Sequence, residues 1–366
     1  MSLKAGIVGL PNVGKSTLFN AITKKHILAA NYPFATIEPN VGVVTVPDDR
    51  LEYLVGLYNP KSIVPTTFEF IDIAGLVSGA SKGEGLGNKF LSHIREVDAI
   101  VEVIRCFDDD NITHVEGKCD PIRDIEIINT ELIISDLEIA SNRLGKIEKK
   151  AETTKDKEAI YEVGVLKKII GSLEKGVPLR LLALDDDELL LIKNFNFITL
   201  KKIIYVGNVS LETACVGDND YTTALKDYAS KEGAKVVVMC AKSESELADY
   251  NDEERKAFLN DLGIENSGLD NLIFATYDLL GLATFFTSGS DECRAWTFKK
   301  GMKAPECAGL IHTDFERGFI RAEVMSFDDL KSAGSELKVR ENGKLRIEGK
   351  DYVMQDGDIC YFRFNV

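Results

Sequence analysis

The sequence predicts an α/β domain interrupted by an antiparallel helical hairpin and followed by a small α+β domain. Three observations lead to this prediction. A short apolar strand at residues 4–10 passes through a glycine-rich loop into a helix at 16–23. A long charged stretch in the middle of the chain repeats apolar residues at helical spacing. Beyond residue 281, short strands with turn signals between them take over.

The first loop has the spacing of a Walker A motif, and residues 9–17 read GLPNVGKST. Its backbone N–H groups would point at phosphate oxygens, while Lys15 supplies a charge for the β and γ phosphates and Ser16 a hydroxyl ligand for Mg²⁺. The helix N-terminus that follows also favours anions. The predicted phosphate-binding residues are Asn12, Val13, Gly14, Lys15, Ser16 and Thr17. The alternative is a glycine-rich turn without a ligand.

Two downstream segments would sense the last phosphate. Residues 31–40 form a proline-containing loop, and Thr36 lies where a loop hydroxyl completes the Mg²⁺ shell in phosphate-sensing switch proteins. The alternative for Thr36 is a hydroxyl that satisfies a turn. The strand at 67–75 ends in Asp-x-x-Gly. There, Asp72 would hold the outer shell of the metal and the Gly75 amide would touch the γ-phosphate.

Leu76 stands where many nucleotide switches carry the glutamine that orients the attacking water. Leucine cannot orient water, so either hydrolysis is slow or another side chain enters the site. His114, in a polar loop after the strand at 98–106, is the candidate, because an imidazole can accept a proton from water or hold it. The alternative is an exposed loop histidine. The residues assigned to catalysis are therefore Lys15, Gly75 and His114.

The helical hairpin follows from the sequence after Asp120-Pro121, a helix start with proline in the first turn. Apolar residues recur at intervals of three and four over 133–151 and again over 163–173. We expect this hairpin to occupy the insertion 121–199 in a domain of residues 1–280 and to serve as an interaction arm. The alternative is two helices packed on the sheet.

The sheet resumes at 202–207 and leads to Asn208. GTP-specific switches read Asn-Lys-x-Asp here, and the carboxylate accepts hydrogen bonds from the guanine N1–H and 2-amino groups, whereas this chain has Leu211 at that position. Losing such an acceptor removes much of the selection for guanine. Adenine offers an amino donor and an N1 acceptor that Asn208 and nearby backbone groups could satisfy, so ATP is favoured. The other predicted base contacts are Val209 and Ala241.

The C-terminal domain is expected at 281–366. Its predicted strands lie at 284–287, 293–298, 319–325, 344–347 and 359–364, with one short helix at 327–333. This size suits a ubiquitin-like β-grasp fold, which binds partners and carries no chemistry of its own.

The composition and net charge of the chain limit the partners and the location that can be expected for it. The 366 residues carry a formal charge of −15, which repels polyanions at long range, so a nucleic-acid contact needs a local basic patch and DNA is not an expected partner. No apolar run reaches the ~18 residues of a membrane span, and the first strand starts almost at Met1, which leaves no room for a signal peptide. A cytoplasmic protein is expected. The seven cysteines are scattered and indicate neither a disulfide framework nor a zinc site.

Five segments together resemble the Obg-like ATPases of the YchF subfamily, in the translation-factor-related class of P-loop GTPases. They are GLPNVGKSTLFNAIT at 9–23, NYPFATIEPNVGVV at 31–44, DIAGLVSGASKGEGLGNKFLSHIREVDAI at 72–100, RCFDDDNITHV at 105–115 and QDGDICYFRFNV at 355–366. The resemblance implies a G domain with a coiled-coil hairpin, a C-terminal TGS domain, Mg²⁺-dependent hydrolysis of ATP in preference to GTP, and association with ribosomes. It also identifies Leu76 as the hydrophobic replacement typical of the class and favours His114 as the water-orienting residue.

The chain departs from the family pattern at the base-reading strand. The family has Asn-x-x-Glu there, whereas Asn208 is followed by Leu211 and the acid is displaced to Glu212. If the strand is one residue longer, Glu212 fills the usual place.

Three functions remain in competition. The leading hypothesis is an ATPase switch whose hairpin and TGS domain report the nucleotide state to a ribosomal partner. A GTPase with the same mechanics is the second. The third is a binding module that holds nucleotide with negligible turnover. A small-molecule kinase is disfavoured, because a rigid transfer pocket has no need of the switch segments.

Overall fold

A computed structural model of the chain describes residues 3–28, 40–73, 86–115, 117–264 and 266–365. It divides into two compact units, one of residues 1–44 and 69–272 and the other of residues 45–68 and 273–366. The predicted boundary at 280 lies a few residues beyond the last change from the first unit to the second, which falls after residue 272. The prediction also assigned 45–68 to the first domain, whereas these residues belong to the second unit.

The first unit alternates strands and helices along the chain. Its strands are β1 (Lys4–Val8), β2 (Val41–Thr45), β4 (Thr67–Asp72), β5 (Ala99–Arg105), β6 (Lys202–Asn208) and β7 (Lys235–Met239). Its helices are α1 (Lys15–Leu28), α3 (Leu86–Glu96), α4 (Pro121–Thr154), α5 (Lys157–Leu173), α6 (Asp186–Ile192), α7 (Leu211–Val216), α8 (Asp220–Glu232), α9 (Ala241–Leu247) and α10 (Asp252–Asp261), followed by α11 (Gly268–Leu279), which crosses into the second unit. Short 3-10 turns lie at Leu179–Leu181, Lys193–Phe195 and Ile198–Leu200.

The sheet of the first unit has, within the described residues, six strands in the order β2-β4-β1-β5-β6-β7. β1 runs parallel to β4 and β5, and β6 runs parallel to β5 and β7. Every residue of β5 is buried, as expected for a strand covered on both faces. Since parallel strands end at the same edge, the loops after β1, β4, β5, β6 and β7 meet there. That edge carries the predicted site.

The predicted hairpin is confirmed as α4 and α5. Asp120 caps α4 by accepting a hydrogen bond from the Arg123 N–H at 3.2 Å, and Pro121 takes the first helical position. The left-handed Lys155 ends α4 (φ 52°), and α5 starts two residues later. The short connection reverses the chain, so the two helices run antiparallel, and ion pairs such as Arg143 with Glu162 join them. The hairpin has an apolar core of its own.

A buried charged cluster lies beneath the sheet, between β5, β6 and α8. Glu102 of β5 is fully buried, and among the described residues neither of its carboxyl oxygens has a hydrogen-bond partner. Beside it, Arg180 pairs with Glu232 at 3.0 Å, and the Tyr205 hydroxyl donates to Glu232 at 2.9 Å. Burial raises the pKa of Glu102 to about 8, against the opposing charge of Arg180. At neutral pH Glu102 is therefore mostly protonated, which leaves Arg180 and Glu232 as a balanced pair.

This raised pKa predicts that stability falls as pH rises. Between the unfolded pKa near 4.5 and the folded pKa near 8, the folded chain binds the proton that the unfolded chain has released. The contribution of Glu102 to the free energy of unfolding is fully present below its unfolded pKa and is lost as the pH rises toward its folded pKa. We expect Glu102→Gln to stabilise the first unit at pH 7.5 by on the order of 2 kcal/mol and to flatten the slope. Thermal unfolding from pH 5 to 8 measures this, with the exposed Glu126→Gln as control. Equal slopes in wild type and Glu102→Gln would contradict it.

The second unit is an α+β fold. Its elements are α2 (Asp49–Tyr58), β3 (Ser62–Val64), β8 (Leu282–Thr287), β9 (Glu292–Lys299), α12 (Ala304–Ile311), α13 (Thr313–Arg317), β10 (Phe319–Ser326), α14 (Phe327–Ala333), α15 (Glu336–Glu341), β11 (Arg346–Glu348) and β12 (Asp358–Phe364). The described strands form a sheet in the order β11-β10-β12-β8-β9-β3, with β8 and β12 parallel at its centre. The strands after residue 281 thus follow the order of a β-grasp fold, which is consistent with the TGS domain that the resemblance implies.

Two elements of this unit come from residues 45–68 and were missed by the sequence prediction. Leu51 and Leu54 of α2 are buried in one of the unit's apolar clusters, and β3 pairs in parallel with β9 at the sheet edge. The helix does have a local signal, because Asp48 accepts a hydrogen bond from the Arg50 N–H at 3.0 Å as its N-cap. In the described part of the chain, no helix is long and apolar enough to cross a membrane.

Candidate functional site

The loop between β1 and α1 turns through two residues with left-handed backbone. Asn12 has φ of 63° and Gly14 has φ of 98°. Asparagine tolerates this region, and glycine enters it without steric cost. The chain then enters α1, where the Leu18 N–H donates to Gly14 O at 2.9 Å. The N–H groups of the first turn of α1 have no partner within the helix, so they remain available to an anion at the loop.

Lys15 reaches from the start of α1 to the end of β4. Its Nζ forms an ion pair with Asp72 Oδ1, and the residue is only 9% exposed. The Asp72 backbone N–H donates to Asn40 O at 2.9 Å, which fixes the end of the strand. The predicted phosphate-binding lysine and the predicted metal-shell carboxylate therefore lie in direct contact.

The side-chain oxygen atoms beside Lys15 are suitable ligands for a Mg²⁺ ion. Ser16 is exposed next to Lys15, and Asp72 keeps 21% of its side chain exposed. Hydroxyl and carboxylate oxygens are the protein ligands that Mg²⁺ prefers, together with phosphate and water oxygens. The predicted Mg²⁺ ligand Thr36 and the predicted γ-phosphate contact Gly75 lie outside the described residues, as does Leu76.

A cavity of about 910 Å³ opens beside the loop. This volume lies within the range of ordinary small-molecule sites, ~300–1,000 Å³. Its walls come from the phosphate loop and from the segments that follow β5, β6 and β7. The lining residues are Leu10, Pro11, Asn12, Gly14, Lys15, Ser16, Thr17, Phe107, Asp108, Asp109, Ile112, Asn208, Val209, Ser210, Leu211, Cys240, Ala241, Lys242, Ser243 and Glu246. Thus the predicted loop residues, apart from the buried Val13, share one cavity with the predicted base contacts.

Asn208 joins the two sides of this cavity. Its Nδ2 donates to Val13 O at 2.9 Å, and its Oδ1 accepts from the Ala241 N–H at 2.9 Å. The sequence predicts that these amide atoms bind the base, whereas in the structure they tie the phosphate loop to the start of α9. An amide keeps one further N–H and one further lone pair after two such bonds. The Val209 N–H donates to Met239 O at 2.9 Å, so Val209 offers a base its carbonyl oxygen.

Leu211 faces the cavity at the position of the missing acid. β6 ends at Asn208, and α7 begins at Leu211 with Ser210 as its N-cap, accepting from the Thr213 N–H at 3.2 Å. Leu211 is 40% exposed and lines the cavity. Glu212 belongs to the same first turn of α7, and it is not among the described lining residues. The possibility that a longer strand brings Glu212 into the usual place is therefore wrong in this structure.

His114 lies beside the phosphate loop but is buried. The Asn12 side chain donates to Thr113 O at 3.2 Å, which ties this segment to the loop. The imidazole Nε2 lies 2.9 Å from Asp124 Oδ2 of α4. The residue is 8% exposed, so the alternative of an exposed loop histidine is wrong. The described part of the loop lines the cavity with Phe107, Asp108, Asp109 and Ile112, and His114 is not in that lining.

Comparison with known proteins places this site in a family. Residues 4–139 match a family described as 50S ribosome-binding GTPase, and residues 282–365 match the YchF-GTPase C-terminal family, described as "Protein of unknown function (DUF933)". A Bacillus subtilis protein named ribosome-binding ATPase YchF is 58% identical over 367 residues, covering all of both chains. The chain belongs to the YchF family.

Other YchF proteins are also similar to this chain along its whole length. A Haemophilus ducreyi protein of the same name is 55% identical over 366 residues, again covering all of both chains. The solved structure of the Schizosaccharomyces pombe YchF GTPase superposes with a TM-score of 0.90 and 42% identity, covering 99% of this chain and 98% of that one. The predicted fold, a P-loop GTPase domain with a further C-terminal domain, is confirmed by these YchF matches.

Two residues that position this YchF site were missed by the sequence prediction. Arg105, 3% exposed, donates to the carbonyl oxygens of Phe107, Asp109 and Ile112 at 2.8–3.1 Å and so shapes the loop that leads to His114. A charged residue that ends an apolar strand is a signal that could have found it. Asp124 had a weaker signal, an acid in the first turn of a helix, which also has a common role in helix stability.

Proposed function

We propose that this chain is a Mg²⁺-dependent nucleoside triphosphatase of the Obg-like ATPase group, which hydrolyses ATP in preference to GTP and acts at the ribosome. The observation that carries the proposal is the contact between Lys15 and Asp72 at a cavity large enough for a nucleotide. The names of the Bacillus and Haemophilus relatives, ribosome-binding ATPases, support it. A cytoplasmic location accords with a ribosomal partner.

The roles of the residues follow from the sequence motifs, and the contact between Lys15 and Asp72 beside the cavity supports them. The loop N–H groups of residues 12–17 and the Lys15 ammonium would bind the β and γ phosphates, and Ser16, Asp72 and Thr36 would hold Mg²⁺. When bound, Mg²⁺ neutralises charge on the phosphate oxygens. The Gly75 amide, by its place in Asp-x-x-Gly, would contact the γ-phosphate. His114 orients the attacking water, since Leu76 cannot do so.

The base preference depends on what lies at the end of β6. Leu211 gives guanine no acceptor there, whereas the second N–H of the Asn208 amide and the carbonyl oxygen of Val209 suit adenine, with Ala241 as part of the wall beside them. GTP is the second candidate, because the Schizosaccharomyces pombe relative is described as a GTPase and because the carboxylates of Asp108, Asp109 and Glu246 also line the cavity.

Introducing an acid at position 211 should change the preference between ATP and GTP. Leu211 is the first residue of α7, where an aspartate suits the helix N-terminus, so Leu211→Asp should fold. We expect it to raise GTP turnover relative to ATP at least tenfold. Competition of ATP and GTP for the purified variant measures this, with Glu212→Gln as the neighbouring control outside the described lining. An unchanged ratio in Leu211→Asp would mean that the base is read elsewhere.

The partner is expected to be the ribosome. We propose that the G domain, with the insertion 121–199, holds the nucleotide, and that the hairpin and the TGS domain at 281–366 contact the ribosome. Turnover of ATP and GTP, measured in parallel with and without ribosomes, tests the proposal. ATP turnover that exceeds GTP turnover, together with cosedimentation, supports it. Tight ATP binding with turnover no faster than background, unchanged in His114→Ala, would instead favour the binding module.

A further inference from the structure

We propose that Asp124 is a positioning residue that holds the His114 imidazole out of the nucleotide cavity, so that release of this contact sets the rate of hydrolysis. The inference rests on the proposed role of His114 in orienting water and adds a restraint on that role. The carboxylate sits in the first turn of α4, the helix that continues into the hairpin arm.

The contact is well placed to restrain the imidazole. Asp124 is 1% exposed, and the side chains of both partners are at least 95% buried. One carboxylate oxygen lies 2.9 Å from the imidazole Nε2, and the other accepts from an Arg123 nitrogen at 3.2 Å. A hydrogen bond between two buried groups is stronger than one at the surface, because water does not compete for it. The imidazole is thus held by a carboxylate that is itself fixed.

His114 is close to the phosphate loop and still out of the cavity. Its neighbour Thr113 accepts a hydrogen bond from the side chain of Asn12. The loop before it is anchored by Arg105 and lines the cavity as far as Ile112. A rearrangement of the segment around residues 113–115, rather than of the whole loop, would carry the imidazole toward the phosphates. Val115, at 52% exposure, adds little packing against such a movement.

The restraint predicts a gain of activity when it is removed. Asp124→Ala deletes the acceptor, and we expect its kcat for ATP to rise about tenfold with KM unchanged. Asp124→Asn keeps the shape and a weaker hydrogen bond, so its kcat should rise by a smaller factor. A carboxylate that only stabilised the fold would lower kcat or leave it unchanged on removal. Asp120→Asn, which keeps a residue suited to capping the same helix, is the control and should match wild type.

A double variant shows whether Asp124 acts through His114. We expect His114→Ala to lose turnover and His114→Ala with Asp124→Ala to be equally slow. A rate gain that persists in the double variant, or no gain in either Asp124 variant, overturns the restraint. If His114→Ala alone keeps wild-type turnover, the water-orienting role fails instead, and the two failures are therefore distinguishable.

Chemical reactivity tests the contact without relying on turnover. Diethyl pyrocarbonate modifies accessible imidazoles, and the rate at each histidine can be followed by mass spectrometry of peptides. In wild type we expect His114 to react more slowly than His312, whose side chain is 61% exposed. In Asp124→Ala the His114 rate should rise about tenfold while that of His312 stays constant. Equal His114 rates in wild type and Asp124→Ala would overturn the proposal.

Discussion

Replacing Lys15 by methionine should reduce ATP turnover by about a hundredfold or more. The ammonium is the single buried cation in the described part of the loop, it is only 9% exposed, and it already contacts the Asp72 carboxylate. Removing it takes away a fixed positive charge where the γ-phosphate develops charge during transfer. Steady-state turnover and nucleotide titration of Lys15→Met measure the effect.

The matched control is Lys24→Met on the same helix. Lys24 pairs with Asp249 at 2.7 Å through side chains that are 40% and 62% exposed, and such surface pairs contribute little. Lys24→Met should therefore keep both affinity and turnover. Turnover of Lys15→Met within about threefold of wild type would contradict the assignment of this loop as the phosphate site.

Gly14→Ala should weaken nucleotide binding strongly, because it changes the geometry of the loop. A Cβ at Gly14 would lie 2.2 Å from Asn208 Nδ2, and the backbone there has φ of 98°. Asn208 cannot move aside without breaking its bonds to Val13 O and the Ala241 N–H. We expect affinity for ATP to fall at least a hundredfold, because both the loop and the base side of the cavity shift. Calorimetric titration measures this.

Gly233→Ala is the control for Gly14→Ala, because it introduces backbone strain without a steric clash. Gly233 also has a left-handed backbone, with φ of 65°, but a Cβ there meets nothing within 4 Å. Its substitution should cost about 1 kcal/mol of stability and leave affinity unchanged. Were Gly14→Ala to bind ATP as tightly as Gly233→Ala, the bridge through Asn208 would not hold the loop for its ligand.

Much of this site is local in sequence, which is why it could be predicted. The Walker loop needs only β1, six residues and α1, and Asp72 follows from a strand that ends in Asp-x-x-Gly. The hairpin likewise follows from apolar spacing within α4 and α5. Short-range patterns of this kind depend on backbone geometry and capping.

The parts that could not be predicted depend on contacts between distant residues. Asn208 bonds to Val13, 195 residues away, and to Ala241, 33 residues away, so no local pattern gives its partners. The residues of α2 and β3 have ordinary helix and strand signals, but nothing in those signals says that they join the second unit. The burial of His114 depends on α4 packing across it, which a polar loop does not reveal.

The most direct measurement is calorimetric titration of the purified chain with ATP and GTP in the presence of Mg²⁺. We expect saturable binding at one site, tighter for ATP, that disappears in Lys15→Met and persists in Lys24→Met. Absence of saturable binding by either nucleotide to the wild-type chain would contradict it.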